Sequence, residues 1–198
     1  ARRTPGCPTG ARPVTAVTLK ESFDPRANSI GFIRWLLAFA VIFSHAGPLG
    51  GFYGGEDLGS QISDEQSLGG VAVAGFFFFS GFLITLSRMG RSTIFRYMWR
   101  RAMRIFPAFW AALLATAFLF APIAWTLETG SIDGYWDAPT QSPFTYFLSN
   151  VWLMLGQRNI AEAGSTLPYA QLHGGYDWNG SAWTLQYEFF AYIIVGLL

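Results

Sequence analysis

The chain is poor in several things, and each shortage narrows what it can be. One cysteine, Cys7, is present, so no internal disulfide and no cysteine-ligated metal centre can form, and cysteine usage names no compartment. One lysine, Lys20, stands among thirteen basic residues, so the cationic chemistry belongs almost wholly to arginine. Charged residues make up 13% of the chain, against about 25% in an ordinary soluble domain. Residues 1–29 lack the apolar core of a secretory or lipoprotein signal and read, from their Pro, Gly, Ser, Thr and Arg content, as a disordered cytoplasmic tail. No segment repeats at a fixed period, so the internal symmetry common in transporters is missing.

What fills the space is apolar. The 198 residues are 52% hydrophobic and 18% aromatic, with a mean hydropathy of +0.30, which is a membrane composition. A helix needs about 20 mainly apolar residues to cross the hydrocarbon layer. Five segments approach that: 30–48, 69–87, 105–125, 144–156 and 182–198. The expected fold is therefore an all-α membrane protein, a polytopic bundle of about five hydrophobic segments. Pro48 and the glycines after it are expected to end the first span, and Pro107 to lie in the first turn of the third. Gly75, Ser80 and Gly81 in the second permit a close helical neighbour. The 144–156 segment is short for a crossing and reads as tilted, interfacial or re-entrant. The last run reaches Leu198 inside an unfinished hydrophobic helix and the first residue is Ala1, so the chain reads as a fragment truncated at its C-terminus.

Arginine placement sets an orientation. The loop over 47–69 carries Glu56, Asp57, Asp64 and Glu65, and the loop over 126–142 carries Glu128, Asp133 and Asp137, with no Lys or Arg in either. The tail and the cluster Arg88, Arg91, Arg96, Arg100, Arg101 and Arg104 are basic. By the positive-inside rule the N-terminus and the arginine cluster are cytoplasmic and the acidic loops lie outside. A cluster set between two apolar spans is badly placed for nucleic acid, and none is expected as a partner.

Ionisable groups inside such spans are the candidates for chemistry. Arg34 and His45 lie eleven residues apart on one stripe of the first span, about 16 Å along its axis. Either they snorkel to opposite headgroup layers, or they line a polar path in which His45 serves as a general base. Arg101 and Arg104, three apart, share a helix side and suit phosphate oxygens; anchoring to anionic lipid heads is the plainer alternative. Glu188 enters an aromatic helix and must pair, protonate or face water. Trp183, Tyr187 and Tyr192 around it read as interfacial aromatics.

Taken in order, these pieces resemble the acyltransferase 3 family of integral membrane proteins. IRWLLAFAVIFSHA matches its first-span arginine and histidine, here Arg34 and His45; GVAVAGFFFFSGFLIT resembles its second-span signature and includes Ser80. RRAMRIFPAFW is similar to its Arg-x-x-Arg-Ile-Tyr-Pro segment, with Phe106 in the tyrosine position, and SAWTLQYEFFAY resembles its Trp-Ser-Leu-x-x-Glu-Phe element, with Thr184 in the serine position. Family members have about ten spans, so roughly a C-terminal half is expected to be missing. The resemblance implies an O-acyltransferase of the bacterial inner membrane. It would move an acyl group, commonly acetyl, from cytoplasmic acyl-CoA to a hydroxyl of a glycan or lipid-linked saccharide. Acyl-CoA is then a co-substrate, with no bound cofactor and no metal. On that reading His45 is catalytic, as base or transient acyl carrier, and Arg34, Arg101 and Arg104 bind the donor. Glu188, Trp183 and Ser80 support them. The rival from another class is a transporter or flippase for an acylated or lipid-linked glycan, and a third reading is a non-catalytic membrane subunit.

Overall fold

The computed structural model describes residues 24, 28–57, 59, 67–89 and 93–197. The tail expected over 1–29 lies, apart from Asp24, Asn28 and Ser29, outside the described residues, as does Arg91. Among the described residues there are six α-helices and no strand: α1 (Ile30–Gly50), α2 (Leu68–Arg88), α3 (Ile94–Thr129), α4 (Pro143–Asn150), α5 (Pro168–His173) and α6 (Trp183–Leu197). Helices α1, α2 and α3 are long and apolar enough to cross a membrane. The all-helical membrane architecture stands as expected from composition, though with other boundaries.

Helix α1 begins where Asn28 Oδ1 accepts the Ile30 amide at 3.1 Å. It runs through Pro48, which sits inside the helix, and stops at Gly51, whose φ of 69° only a residue without a Cβ adopts freely. Its buried residues are Ser44 and Gly47, while Phe32, Trp35, Phe39 and Phe43 stack in a ladder with centroids about 6 Å apart on an exposed face. Such an apolar stripe suits lipid.

Helix α2 is capped by Ser67, whose Oγ accepts the Gly70 amide at 2.9 Å. It packs along α1, tightest at Gly69, where a Cβ would stand 2.6 Å from Ser44 Oγ, and at Gly75, where one would stand 3.2 Å from Leu37. At Gly81, expected to serve the same purpose, a Cβ would meet none of the described residues within 4 Å.

Helix α3 starts eleven residues earlier than expected, so Arg96, Arg100, Arg101 and Arg104 ride on the helix and Pro107 lies in its interior. Its strong amphipathicity in this first part explains the extension: Tyr97, Ile105, Phe109 and Leu113 recur at helical spacing on the buried face. A π-helical turn, Thr116–Phe120, interrupts it just before Pro122. There Tyr135 donates its hydroxyl to the Ala117 carbonyl at 2.5 Å. A proline removes one ladder donor, and a wider turn is one way to absorb that.

The segment expected at 144–156 folds as the eight-residue α4 followed by turns, about 12 Å of helix, which is too short to cross. Asn150, fully buried, holds the turn by bonding both the amide and the carbonyl of Gln157, at 3.2 and 2.8 Å. Residues 157–182 then fold over the Thr129 end of α3, where the Glu128 carboxylate accepts the amides of Gly164 and Thr166 at 2.9 Å each. Helix α6 leaves that region and passes α3 and α2 until Arg88 Nε donates to the Gly196 carbonyl at 3.2 Å. The core lies between α3, α4, α6 and the 151–182 loops, around Leu113, Ala117, Tyr135, Tyr146, Ile160 and Tyr192.

Candidate functional site

The face of α1 opposite the aromatic ladder carries Arg34, Val41, Ser44, His45 and Pro48, and three cavities lie along it. At one end a space of about 360 Å³ is lined by Arg34, Phe76, Arg104, Ala108, Leu185 and Glu188, among others. The sequence separates these groups by up to 154 positions; the packing of α1, α2, α3 and α6 brings them together. The Arg34 guanidinium lies 4.7 Å over the Phe76 ring, and its buried Nε has no hydrogen-bond partner among the described residues. Glu188 is occupied, since the Tyr192 hydroxyl donates to its Oε1. Two guanidinium groups and one engaged carboxylate leave the space cationic, and an anion entering it would meet planar donors.

Arg101 stands apart from that lining. Its guanidinium is held between the rings of Tyr97 and Tyr192, at 5.5 and 5.4 Å. Tyr192, expected to be an interfacial aromatic, is 1% exposed and joins Arg101 to Glu188. Its position four residues after Glu188 was the available signal, because i and i+4 side chains meet on a helix. Ser80 is buried on α2, its Oγ has no partner among the described residues, and it lines none of the three cavities.

His45 occupies the other end. Its Nδ1 lies 2.8 Å from the Val41 carbonyl oxygen. A carbonyl only accepts, so Nδ1 carries the proton and the neutral ring keeps its lone pair on Nε2. Two cavities share His45, Pro48, Ser181 and Trp183 in their walls. One, of about 620 Å³, is mainly apolar, with Val41, Val73, Ala74 and Phe77. The other, of about 370 Å³, is lined by Tyr169, Tyr176 and Trp183 and by the Arg158–Asp177 ion pair at 3.1 Å.

Asp57 fastens α1 to α2 beside His45. Its carboxylate accepts from Ser44 Oγ and from the amides of Gly59 at 2.5 Å and Leu68 at 3.0 Å. Burial raises its pKa, but these hydrogen bonds to the charged form outweigh it and hold the carboxyl below its ordinary value. In sequence Asp57 is one of several loop acids with nothing to mark it.

Arg34, Arg104 and Glu188 thus share one cavity, His45 and Trp183 share others, and Arg101 and Ser80 lie outside all three. The chain matches the family model described as an acyltransferase domain over residues 28–198. It is 32% identical over 173 residues to an O-acetyl transferase of Shigella phage Sf6, covering 87% of this chain and 46% of that protein. Acyltransferase MdmB of Streptomyces mycarofaciens is 27% identical over 169 residues, covering 85% and 38% respectively. Nodulation protein 10 of Rhizobium leguminosarum bv. viciae is 27% identical over 182 residues, covering 90% and 46%. The chain therefore spans less than half the length of each of these relatives. No solved structure matches it significantly. With a family match that covers every described helix, three of them long and apolar enough to cross a membrane, the chain belongs to the acyltransferase 3 family of membrane proteins.

Proposed function

We propose that this protein transfers an acyl group, commonly acetyl, from acyl-CoA to a hydroxyl of a glycan or lipid-linked saccharide. The observation that carries the reading is the pair of unlike ends on one face of α1, a cationic cavity at Arg34 and a histidine with an open Nε2 at His45. Coenzyme A bears a pyrophosphate and a 3′-phosphate, which match the guanidinium groups of Arg34 and Arg104, with Arg101 adding charge one turn away. The arginine-rich end is cytoplasmic and the His45 end extracytoplasmic, because arginine collects at one end and acidic loops at the other; the inner membrane of a bacterium is what the family resemblance implies. An O-acetyl transferase and an acyltransferase among the relatives support acyl transfer to oxygen.

In the reaction the acceptor O–H gives its proton to His45 Nε2 while its oxygen attacks the thioester carbonyl. The tetrahedral adduct collapses with cleavage of the C–S bond, and the imidazolium returns its proton to the departing thiolate, leaving an O-acyl ester and free coenzyme A. The Nδ1–H bond to Val41 O orients the ring and supports the imidazolium charge. Glu188 and Tyr192 brace the arginine side, and Trp183 walls the acceptor side.

The test is transfer of labelled acetyl from acetyl-CoA to a cell-envelope glycan fraction by the intact membrane protein. His45→Gln, which keeps a hydrogen-bonding side chain without the base, is expected to lose about 100-fold or more in rate. Unchanged acetylation in that variant would overturn the assignment of His45 as the base, and no transfer by the unaltered protein would favour the flippase reading.

A further inference from the structure

Asn179 is the one lining residue shared by the cationic Arg34–Arg104 cavity and the aromatic His45 cavity. It precedes the short turn Gly180–Ala182 that feeds α6, and its backbone is left-handed, with φ 54° and ψ 32°. Asparagine tolerates that region better than other residues with a side chain. Its amide Nδ2 spends both hydrogens, one on Thr116 Oγ1 at 2.8 Å and one on the Tyr146 hydroxyl at 3.1 Å. Tyr146 in turn donates to the Trp178 carbonyl at 3.3 Å, so every proton in the chain of bonds has one direction. The amide plane is thereby set from two sides, by the π-helical turn of α3 and by fully buried Tyr146 of α4.

This anchoring fixes where the remaining polar atom goes. Oδ1 accepts nothing from the described residues, and it is not among the buried atoms that lack a partner, so it stays accessible as an unused acceptor at the junction. A donor with its phosphates at Arg34 and Arg104 and its thioester at His45 would span both cavities, and Asn179 is the residue that lines both. In coenzyme A that arm contains two secondary amides, each with an N–H, and little else that is polar.

We infer that Asn179 is a donor-binding residue: its Oδ1 receives an amide N–H of the acyl-CoA arm at the junction of the two cavities, and Thr116 and Tyr146 are the positioning residues that aim it. This rests on the donor assignment made above and adds the contact that would set the thioester's depth. It also accounts for an asparagine, rather than glycine, in a left-handed turn next to Gly180, since glycine would supply the backbone without the acceptor.

The experiment compares Asn179→Gly, Thr116→Val and Tyr146→Phe with the unaltered protein, intact in membranes, for acetyl-CoA KM, acceptor KM, kcat and thermal melting. Loss of one neutral hydrogen bond predicts a rise of about tenfold in acetyl-CoA KM for Asn179→Gly. Smaller rises follow for the other two, with acceptor KM unchanged. Because Asn179→Gly keeps the left-handed backbone, a lower melting temperature with both KM values unmoved means a structural role and overturns the proposal. So does an equal rise in both KM values. Should the unaltered protein neither bind coenzyme A nor use acetyl-CoA, the failure lies with the proposed donor; if it does both and Asn179→Gly matches it, only the Asn179 assignment falls.

Discussion

Two arginines that sequence treats as a pair are given different surroundings. Arg104 faces the cavity it shares with Arg34 and Glu188, whereas Arg101 is sandwiched by Tyr97 and Tyr192. Arg104→Gln is therefore expected to raise acetyl-CoA KM by about tenfold or more, the scale of a charged hydrogen bond. Arg101→Gln should mainly lower the melting temperature, since stacked cation–π contacts are worth about 0.5–2 kcal/mol. Equal effects of the two on KM would mean that the cavity lining does not distinguish them. Asp57 offers a pH test at the same scale. Its folded pKa is depressed, so its contribution is present above the unfolded value of about 3.9 and is lost as pH falls through the lower folded value. Melting temperature should fall as the pH drops below about 4 in the native protein, and that part of the fall should be missing in Asp57→Asn. Sequence showed Arg34, His45 and Glu188 as candidates because an ionisable residue in an apolar run stands out. Asn179 and Asp57 sit in polar loops, where nothing contrasts with them.

Among the elements, the α1–α2 pair is packed most tightly beside His45. Gly69 lets α2 approach Ser44, which Asp57 holds in place, and His45 Cε1 would lie 3.6 Å from a Cβ there. Gly69→Val should force the helices apart, costing about 1–3 kcal/mol in stability, and should reduce transfer with little change in acetyl-CoA KM. Binding that weakens as much as turnover would argue against the separation of donor and acceptor ends. The existence of α1, α2 and α3 followed from apolar length, and their ends did not. Helix α3 begins earlier because the arginine-rich stretch has its own buried face, Tyr97 and Ile105, against α6. Its π-helical turn before Pro122 also receives the Tyr135 hydroxyl at the Ala117 carbonyl, a contact from a later loop that no local pattern shows.

At the scale of the molecule, helix α3 runs from Ile94 to Thr129 and so puts Thr93 and residues 130–142 at its opposite ends. Cys7 is the one cysteine of these 198 residues, so its replacement clears this stretch of competing thiols. With the N-terminus cytoplasmic, a Ser131→Cys variant should react with an impermeant maleimide in intact cells, and Thr93→Cys only after permeabilisation; the reverse pattern would invert the proposed orientation. Membrane character, helical class and the polar stripe of α1 were determined by the sequence alone, because hydrophobic length and helical period are local properties that need no partner to be read. Which charges share a cavity was decided by tertiary structure. Arg34, Arg104, Asn179 and Glu188 meet only because α3 and α6 close against α1 and α2, and the direction of each buried side chain depends on the neighbours that packing supplies.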